Sequence, residues 1–209
     1  AFEEPYNKKL TKADIREYLG VTEYTKEKYQ GNDFAGVVTG LAWTDTGGEI
    51  VFIEATKMKG RNRLILTGSL GTVMKESAQA ALSYIRSNGE NYGIAEDFFE
   101  HHDLHIHIPA GAIPKDGTSA GLPIAVALIS LLTDRSCRRE AALTGELTLT
   151  GRILPVGGIK EKLLAAHRAG VKTVVLPAKN KSNLREIPLD IQQELHIAAV
   201  DEVSQAIDL

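Results

Sequence analysis

The stretch Ile113-Pro114-Lys115-Asp116-Gly117-Thr118-Ser119-Ala120-Gly121, followed at once by the apolar run Leu122 to Leu132, constrains the chain more than any other feature. The run is long enough for about three helical turns. The glycines around Ser119 tolerate backbone angles that side chains forbid, and they let another backbone approach closely. A serine in the first turn of a helix lies in the field of the helix's positive end, which favours negative charge nearby. Such a turn presents a hydroxyl to a ligand and can stabilise an oxyanion. It is equally consistent with a plain helix start capped by Thr118 or Ser119. The rest of the chain has to decide between these readings.

Composition narrows the field. At 209 residues, 43% hydrophobic and 24% charged, the sequence has the make-up of one ordinary globular domain with room for an appendage. A chain of this size buries roughly 70% of its unfolded surface and needs no covalent staples. The net charge of −3, with 24 scattered basic residues, gives no nucleic-acid footprint. Cys137 is the single cysteine, so no intrachain disulfide can form, and no Cys/His pair has metal spacing. No apolar run reaches the ~18 residues of a membrane span, and no signal peptide opens the sequence. A reducing, cytoplasmic setting is the default expectation. The first residue is Ala1, not Met, which suggests a fragment of something longer.

Residues 1–35 differ in character from the rest of the chain. Thr11-Lys-Ala-Asp14 has the form of a helix start, a hydroxyl with an acid three residues on. Ile15, Tyr18 and Leu19 make a short apolar stripe that Gly20 ends, and the charged stretch Thr22 to Asp33 reads as a connector. From Gly36 the pattern turns to strands: Val37 to Trp43, a turn at Thr44-Asp-Thr-Gly47-Gly48, Glu49 to Ala55, and Arg63 to Thr67. Gly71 to Arg86 reads as a helix with Val73, Met74, Ser77, Ala80, Ala81, Tyr84 and Ile85 on one face, closed by Asn88-Gly89. Asp103 to Ile108 alternates, with His105 and His107 opposite Leu104, Ile106 and Ile108. Two histidines on one strand face suit metal binding or proton transfer, or simply make that face polar. After the central helix come a strand Ala141 to Thr144, short pieces around Gly145 to Pro155, a helix Ile159 to Ala169 and a strand Val171 to Leu176. A polar helical turn Lys179 to Arg185, a strand Leu195 to Val200 and a short helix Glu202 to Ile207 complete the chain. Hairpins first and strand–helix units later predict an α+β domain with a mixed sheet.

A serine hydroxyl is a poor nucleophile until a base takes its proton. Gly117-Thr-Ser119-Ala-Gly121 matches the G-x-S-x-G nucleophile elbow, but the elbow needs a strand leading straight into the serine. Ten residues, with Pro109 and Pro114 among them, separate Ile108 from Ser119. The alternative base is a neutral lysine, which must be partly buried because desolvation lowers its pKa. On the helix Ile159 to Ala169, successive residues turn by about 100°. Ile159, Lys162, Leu163, Ala166 and Ala169 share one arc, and Lys160, Glu161 and Arg168 lie outside it. Lys162 therefore points to the packed face, unless its stem snorkels and its ammonium reaches water. The sequence lacks G-x-x-x-x-G-K-[ST], and Val156-Gly-Gly158-Ile-Lys160 is only a weak phosphate cradle.

The serine loop and Gly157-Gly-Ile-Lys-Glu-Lys162-Leu-Leu-Ala-Ala-His167-Arg-Ala-Gly170 together resemble the proteolytic domain of Lon, the ATP-dependent protease family. Gly47-Gly48 with Glu54, Thr67-Gly-Ser-Leu-Gly71, Glu76-Ser-Ala, Leu104-His-Ile-His-Ile-Pro109 and Thr144-Gly-Glu146 fit in the same order. The resemblance runs over nearly all of 36–209, and residues 1–35 look like the tail of the family's small helical ATPase subdomain with a connector. It implies a Lon-type fold and a serine–lysine dyad. Ser119 matches the nucleophile and Lys162, not Lys160, the general base. Thr144 matches a threonine that orients the lysine, and Asp116 the acid that influences whether the site is open. Glu54, His105 and His107 match positions lining or near the site. Thr118 stands where the family commonly has proline, which bears on loop rigidity and not on the dyad.

The family likeness further implies endopeptidase action, through an acyl-enzyme, on unfolded, damaged or regulatory proteins. It implies a homohexamer in the full-length protein, no cofactor in this fragment, and ATP with Mg for an ATPase part that finds no match here. Two rival readings stay open: a non-catalytic docking module of the same fold, and a small-molecule hydrolase using His167 or His196 as base.

Overall fold

Two hairpin-forming strands open the domain, and everything else is laid against them. The computed structural model describes Thr11, Asp14, Glu17, Tyr18 and residues 34–44, 47–109 and 114–209. β1 (Val37–Thr44) pairs antiparallel with β2 (Gly47–Lys59), from Val37↔Glu54 to Thr44↔Gly47. β2 begins at Gly47 and runs four residues past the expected end at Ala55, because its far end pairs with β4 (His102–His107) through Lys59↔His102. β3 (Leu64–Thr67) lies parallel to β4 at the sheet edge. On the other side of β1, the strands β5 (Ala141–Leu143), β8 (Thr173–Pro177) and β9 (His196–Val200) add in parallel. Among the described residues the main sheet is seven-stranded, β3-β4-β2-β1-β5-β8-β9, antiparallel around the hairpin and parallel beyond it. The mixed α+β architecture is thus as expected. β6 (Glu146–Leu147) and β7 (Ile153–Leu154) form a small separate ladder.

Helices cover the two faces unequally. α1 (Thr72–Ser87) and α3 (Gly121–Thr133) pack on one face, where Val38, Ile53, Ala55, Leu104, Ile106, Leu143 and Val175 point. α3 is buried from Gly121 to Leu131, as a helix apolar on every side must be. α1 buries Met74, Ala78, Ala81, Tyr84 and Ile85. The expected face is therefore offset: Val73 is exposed, Ser77 and Ala80 are half-buried, and Ala78 faces inward. The helix turns the small side chains Ala78 and Ala81 toward its packed face. On the opposite face α4 (Ile159–Ala169) buries Ile159, Leu163 and Ala166 against Leu41, Ala142, Val174 and Leu176. Beyond the start of β2, which α4 covers, that face is left open over the rest of β2 and over β4 and β3, where Glu54 and Thr67 are exposed.

Three short helices depart from the expected pattern. α2 (Phe98–His101) and α5 (Leu189–Glu194) have no periodic signal at such lengths, and α6 (Val203–Ile207) starts one residue after Glu202, which closes a capping box with Gln205. The Lys179 to Arg185 turn is a 3₁₀ helix, Ala178–Glu186. At Thr11 the helix-start reading holds: Thr11 N and Oγ1 donate to the Asp14 carboxylate at 2.6 and 2.7 Å, and Asp14 N donates back to Thr11 Oγ1 at 3.3 Å. Ile15, Leu19, Gly20, the connector Thr22 to Asp33, the turn residues Asp45-Thr46 and Ile113 lie outside the described residues.

Candidate active site

The serine loop is seated on the turn between β3 and α1. Lys115 N donates to Ser69 O at 3.0 Å and Gly71 N donates to Lys115 O at 2.7 Å, which makes Leu70↔Lys115 a parallel bridge. Lys115 Nζ donates to Gly68 O at 3.1 Å. Asp116 Oδ1 accepts Met74 N at 2.8 Å and Gly117 N at 3.0 Å. Met74 is in the first turn of α1, where backbone donors lack intrahelical partners and the dipole favours a carboxylate. Gly71 makes the room, for a Cβ there would lie 2.3 Å from the Asp116 carboxyl carbon. Asp116 is thus an anchor that ties the loop to the end of α1.

Ser119 is half-buried in the 3₁₀ turn Thr118–Ala120 that leads into α3. Neither Thr118 nor Ser119 caps the helix; the cap position falls on Ala120, which has no polar side chain. The plain-cap reading is therefore not realised. Ser119 O accepts Gly145 N at 3.0 Å, and Gly145 O accepts Leu122 N at 3.0 Å, so the start of α3 is stitched to the end of β5.

Lys162 approaches the same residues from the opposite face of the sheet. It is 3% exposed, whereas Lys160 is exposed, as the helical arc predicts. The snorkelling alternative fails, because the amine ends inside the protein. Nζ donates to the buried Thr144 Oγ1 at 3.0 Å. Thr144 N in turn donates to Val175 O at 3.0 Å, which holds its backbone to β8. Burial pushes the Lys162 amine down from the ordinary 10.5 to about 8, because a low-dielectric site disfavours the charged form. Ser119 and Lys162 are thus held to adjacent residues, Ser119 by its backbone carbonyl to Gly145 and Lys162 by its amine to Thr144, with no hydrogen bond between the serine hydroxyl and the amine among the described residues. The place is just beyond the carboxyl end of the parallel strand β5, with one helix from each face. Open α/β sheets bind ligands at such a point.

Glu54, His105 and His107 form a separate group. Glu54 stands opposite His107 in the β2–β4 ladder. Thr67 Oγ1 lies 2.8 Å from His105 Nε2 and 2.7 Å from His107 Nδ1, bridging the two rings. Among the described residues no hydrogen bond joins this group to Ser119 or Lys162. Its link to the serine loop is the chain itself, since Thr67 runs directly into the turn that holds Lys115. His167 Nε2 is 2.8 Å from Glu194 Oε2, and His196 is exposed on the edge strand β9. Neither is hydrogen-bonded to Ser119, which removes the support for a histidine base. Sequence reasoning missed the loop-seating roles of Lys115 and Gly145 and the bridging hydroxyl of Thr67. All three act through pairings between distant segments that leave no local pattern.

The comparisons with known proteins fit this arrangement. The model of the Lon protease (S16) C-terminal proteolytic domain matches residues 9–209. The chain belongs to the Lon proteolytic-domain family. It is 55% identical over 200 residues to Lon protease 1 of Herpetosiphon aurantiacus, an alignment covering 96% of this chain and 24% of that protein. It is 55% identical over 202 residues to the Lon protease of Aquifex aeolicus, covering 96% and 25%. Against the Lon protease of Anaeromyxobacter dehalogenans it is 56% identical over 200 residues, covering 94% and 24%. The chain thus spans about a quarter of the length of these Lon relatives. The family model it matches is that of a proteolytic domain, and among the described residues no helix is long and apolar enough to cross a membrane.

Proposed function

We propose that the chain is the endopeptidase unit of an ATP-dependent protease and that Ser119 and Lys162 are its nucleophile and general base. The observation that carries this is the Lys162 amine, buried and held by the Thr144 hydroxyl, with its pKa brought down to about 8. A base poised near the working pH is what proton transfer requires. Neutral Lys162 takes the Ser119 proton as the oxygen attacks a peptide carbonyl. Backbone N–H groups at the start of α3 stabilise the tetrahedral oxyanion, a contribution of roughly 3–4 kcal/mol per donor in studied systems. Lys162 then returns the proton to the leaving amine, and water hydrolyses the acyl-enzyme with the same amine as base. Thr144 orients the lysine and Asp116 fixes the loop. Glu54, His105 and His107 line the approach on the open sheet face.

The substrates on this reading are unfolded, damaged or regulatory polypeptides, and the working assembly is a cytoplasmic homohexamer. Residues 1–35 would be the tail of the ATPase module and its connector. ATP and Mg belong to that module and not to this domain. At the diglycine that resembles a phosphate cradle, Gly158 lies under Trp43 and Val156 is held at its backbone N and O by Asn180, while Gly157 stands open. No step of peptide hydrolysis runs through them. The test is hydrolysis of casein without ATP by the parent chain, Ser119→Ala and Lys162→Ala. Cleavage by the parent and none by either folded variant is expected; cleavage surviving Lys162→Ala overturns the dyad.

A further inference from the structure

The Gly47-Gly48 pair has no part in the bond-making chemistry of the dyad, yet it lies directly behind the general base. Gly48 faces Trp43 across the β1–β2 ladder, and paired residues of an antiparallel ladder look to the same side of the sheet. On that side α4 rests on bare backbone. A Cβ on Gly48 would lie 2.0 Å from the carbonyl oxygen of Glu161 and 2.9 Å from the backbone nitrogen of Lys162. The same Gly48 offers its own carbonyl to Arg168 Nη2 at 2.8 Å, six residues further along the helix. At the near end, a Cβ on Gly158 would lie 2.7 Å from Trp43 Cβ and Cγ, and Gly158 O receives Lys162 N at 3.0 Å. One hairpin end therefore touches α4 before, at and beyond the residue that carries the amine. Trp43, 59% exposed, contributes as the wall over Gly158 and not as a core residue.

We infer that the end of the β1–β2 hairpin positions the Lys162 amine for reaction, with Gly48 and Arg168 as its positioning residues. The inference rests on Lys162 being the general base. A lysine stem is flexible, so its amine is only as well placed as the backbone that carries it. Side chains between a helix and a sheet can change rotamer and let the helix slide. Backbone against backbone has no such freedom. A misplacement of about 1 Å at a reacting group costs on the order of 100-fold in rate. A close-packed but catalytically neutral contact would instead affect only stability.

The test compares Gly48→Ala, Arg168→Ala and Arg168→Lys in the intact chain. It measures peptide hydrolysis and, separately, the titration of Lys162 by NMR on isotope-labelled lysine. In Gly48→Ala kcat falls on the order of 10- to 100-fold at unchanged KM. The Lys162 titration moves up toward the ordinary lysine value as the lifted helix admits water. Arg168→Ala shifts both readouts the same way to a smaller extent, and Arg168→Lys, which restores a donor to the Gly48 carbonyl, recovers them. A folded Gly48→Ala with parental kcat and parental titration overturns the inference. If Gly48→Ala does not fold, the arginine pair decides, and identical behaviour of Arg168→Ala and the parent overturns it. The NMR titration needs no turnover. A Lys162→Ala that cleaves normally overturns the dyad and the inference with it, whereas a dyad that behaves as proposed beside a Gly48→Ala with parental kcat and titration overturns the inference alone.

Discussion

At the scale of single residues, the two proposed partners are unequal. Ser119 is an ordinary hydroxyl made special by its place, whereas Lys162 is chemically altered by its surroundings. Peptide hydrolysis should rise with pH through about 8 and level off above it, since burial lowers the lysine pKa to that value and only the neutral amine accepts a proton. A rate profile flat from about pH 6 to 9 would argue against lysine as base. Lys162→Arg should be inactive, because a guanidinium keeps its proton at all accessible pH. The identity of Lys162 over Lys160 was legible from helical spacing alone, since period settles which side of α4 faces inward. Its final environment was not, because the choice between snorkelling and burial depends on Thr144, which is 18 residues away in sequence.

At the scale of elements, the serine loop is held by α1 and the β3–α1 turn. Asp116→Ala should remove a helix-end interaction of about 1 kcal/mol and loosen Gly117 with it. The expected result is a modest drop in a urea midpoint and a much larger drop in hydrolysis. Asp116→Asn keeps an oxygen for Met74 N and should retain most of the stability. Gly71→Ala drives a methyl into the Asp116 carboxylate and should cost activity out of proportion to stability, read by the same two assays. Element type was visible where the period is strong, as for α3, α4 and the alternating β4. Ends were less visible. β2 outruns its expected end because β4 extends its pairing, and α2 and α5 are too short to show a period. The inward face of α1 is offset because Ala78 is small enough to pack, which an apolar count does not register.

At the scale of the whole molecule, two groups make stability rise with pH, each in its own window. Asp103 is buried, and its carboxylate accepts Arg63 N at 2.9 Å, Arg61 N at 2.7 Å and Arg63 Nε at 3.0 Å, which holds its pKa below the ordinary 3.8. A depressed carboxylate stabilises the fold above its unfolded pKa, and that stability is lost as pH falls through the folded one. Asp103→Asn should therefore lower the melting temperature at pH 7 and flatten its acid dependence. Lys162 acts in the same sense from the opposite cause, since burial penalises its charged form where hydrogen bonds favour that of Asp103. The unfolded chain binds a proton more readily between about pH 8 and 10.5, so the burial cost is present in full below 8 and fades as pH rises through that window. The displacement corresponds to roughly 3 kcal/mol at about 1.4 kcal/mol per pH unit. Lys162→Met, inactive as a hydrolase, should accordingly melt higher than the parent at pH 7. Topology was legible as hairpins followed by strand–helix units, but the crossing of β5 to the far side of β1 was not, and the site forms at that crossing. Ser119 enters from the helix layer on one face and Lys162 from the layer on the other, each bonded to one of the adjacent residues Thr144 and Gly145. A half-built domain, with either layer undocked, lacks one of these two supports. On the proposed dyad, cleavage therefore requires both helix layers to be docked on the sheet.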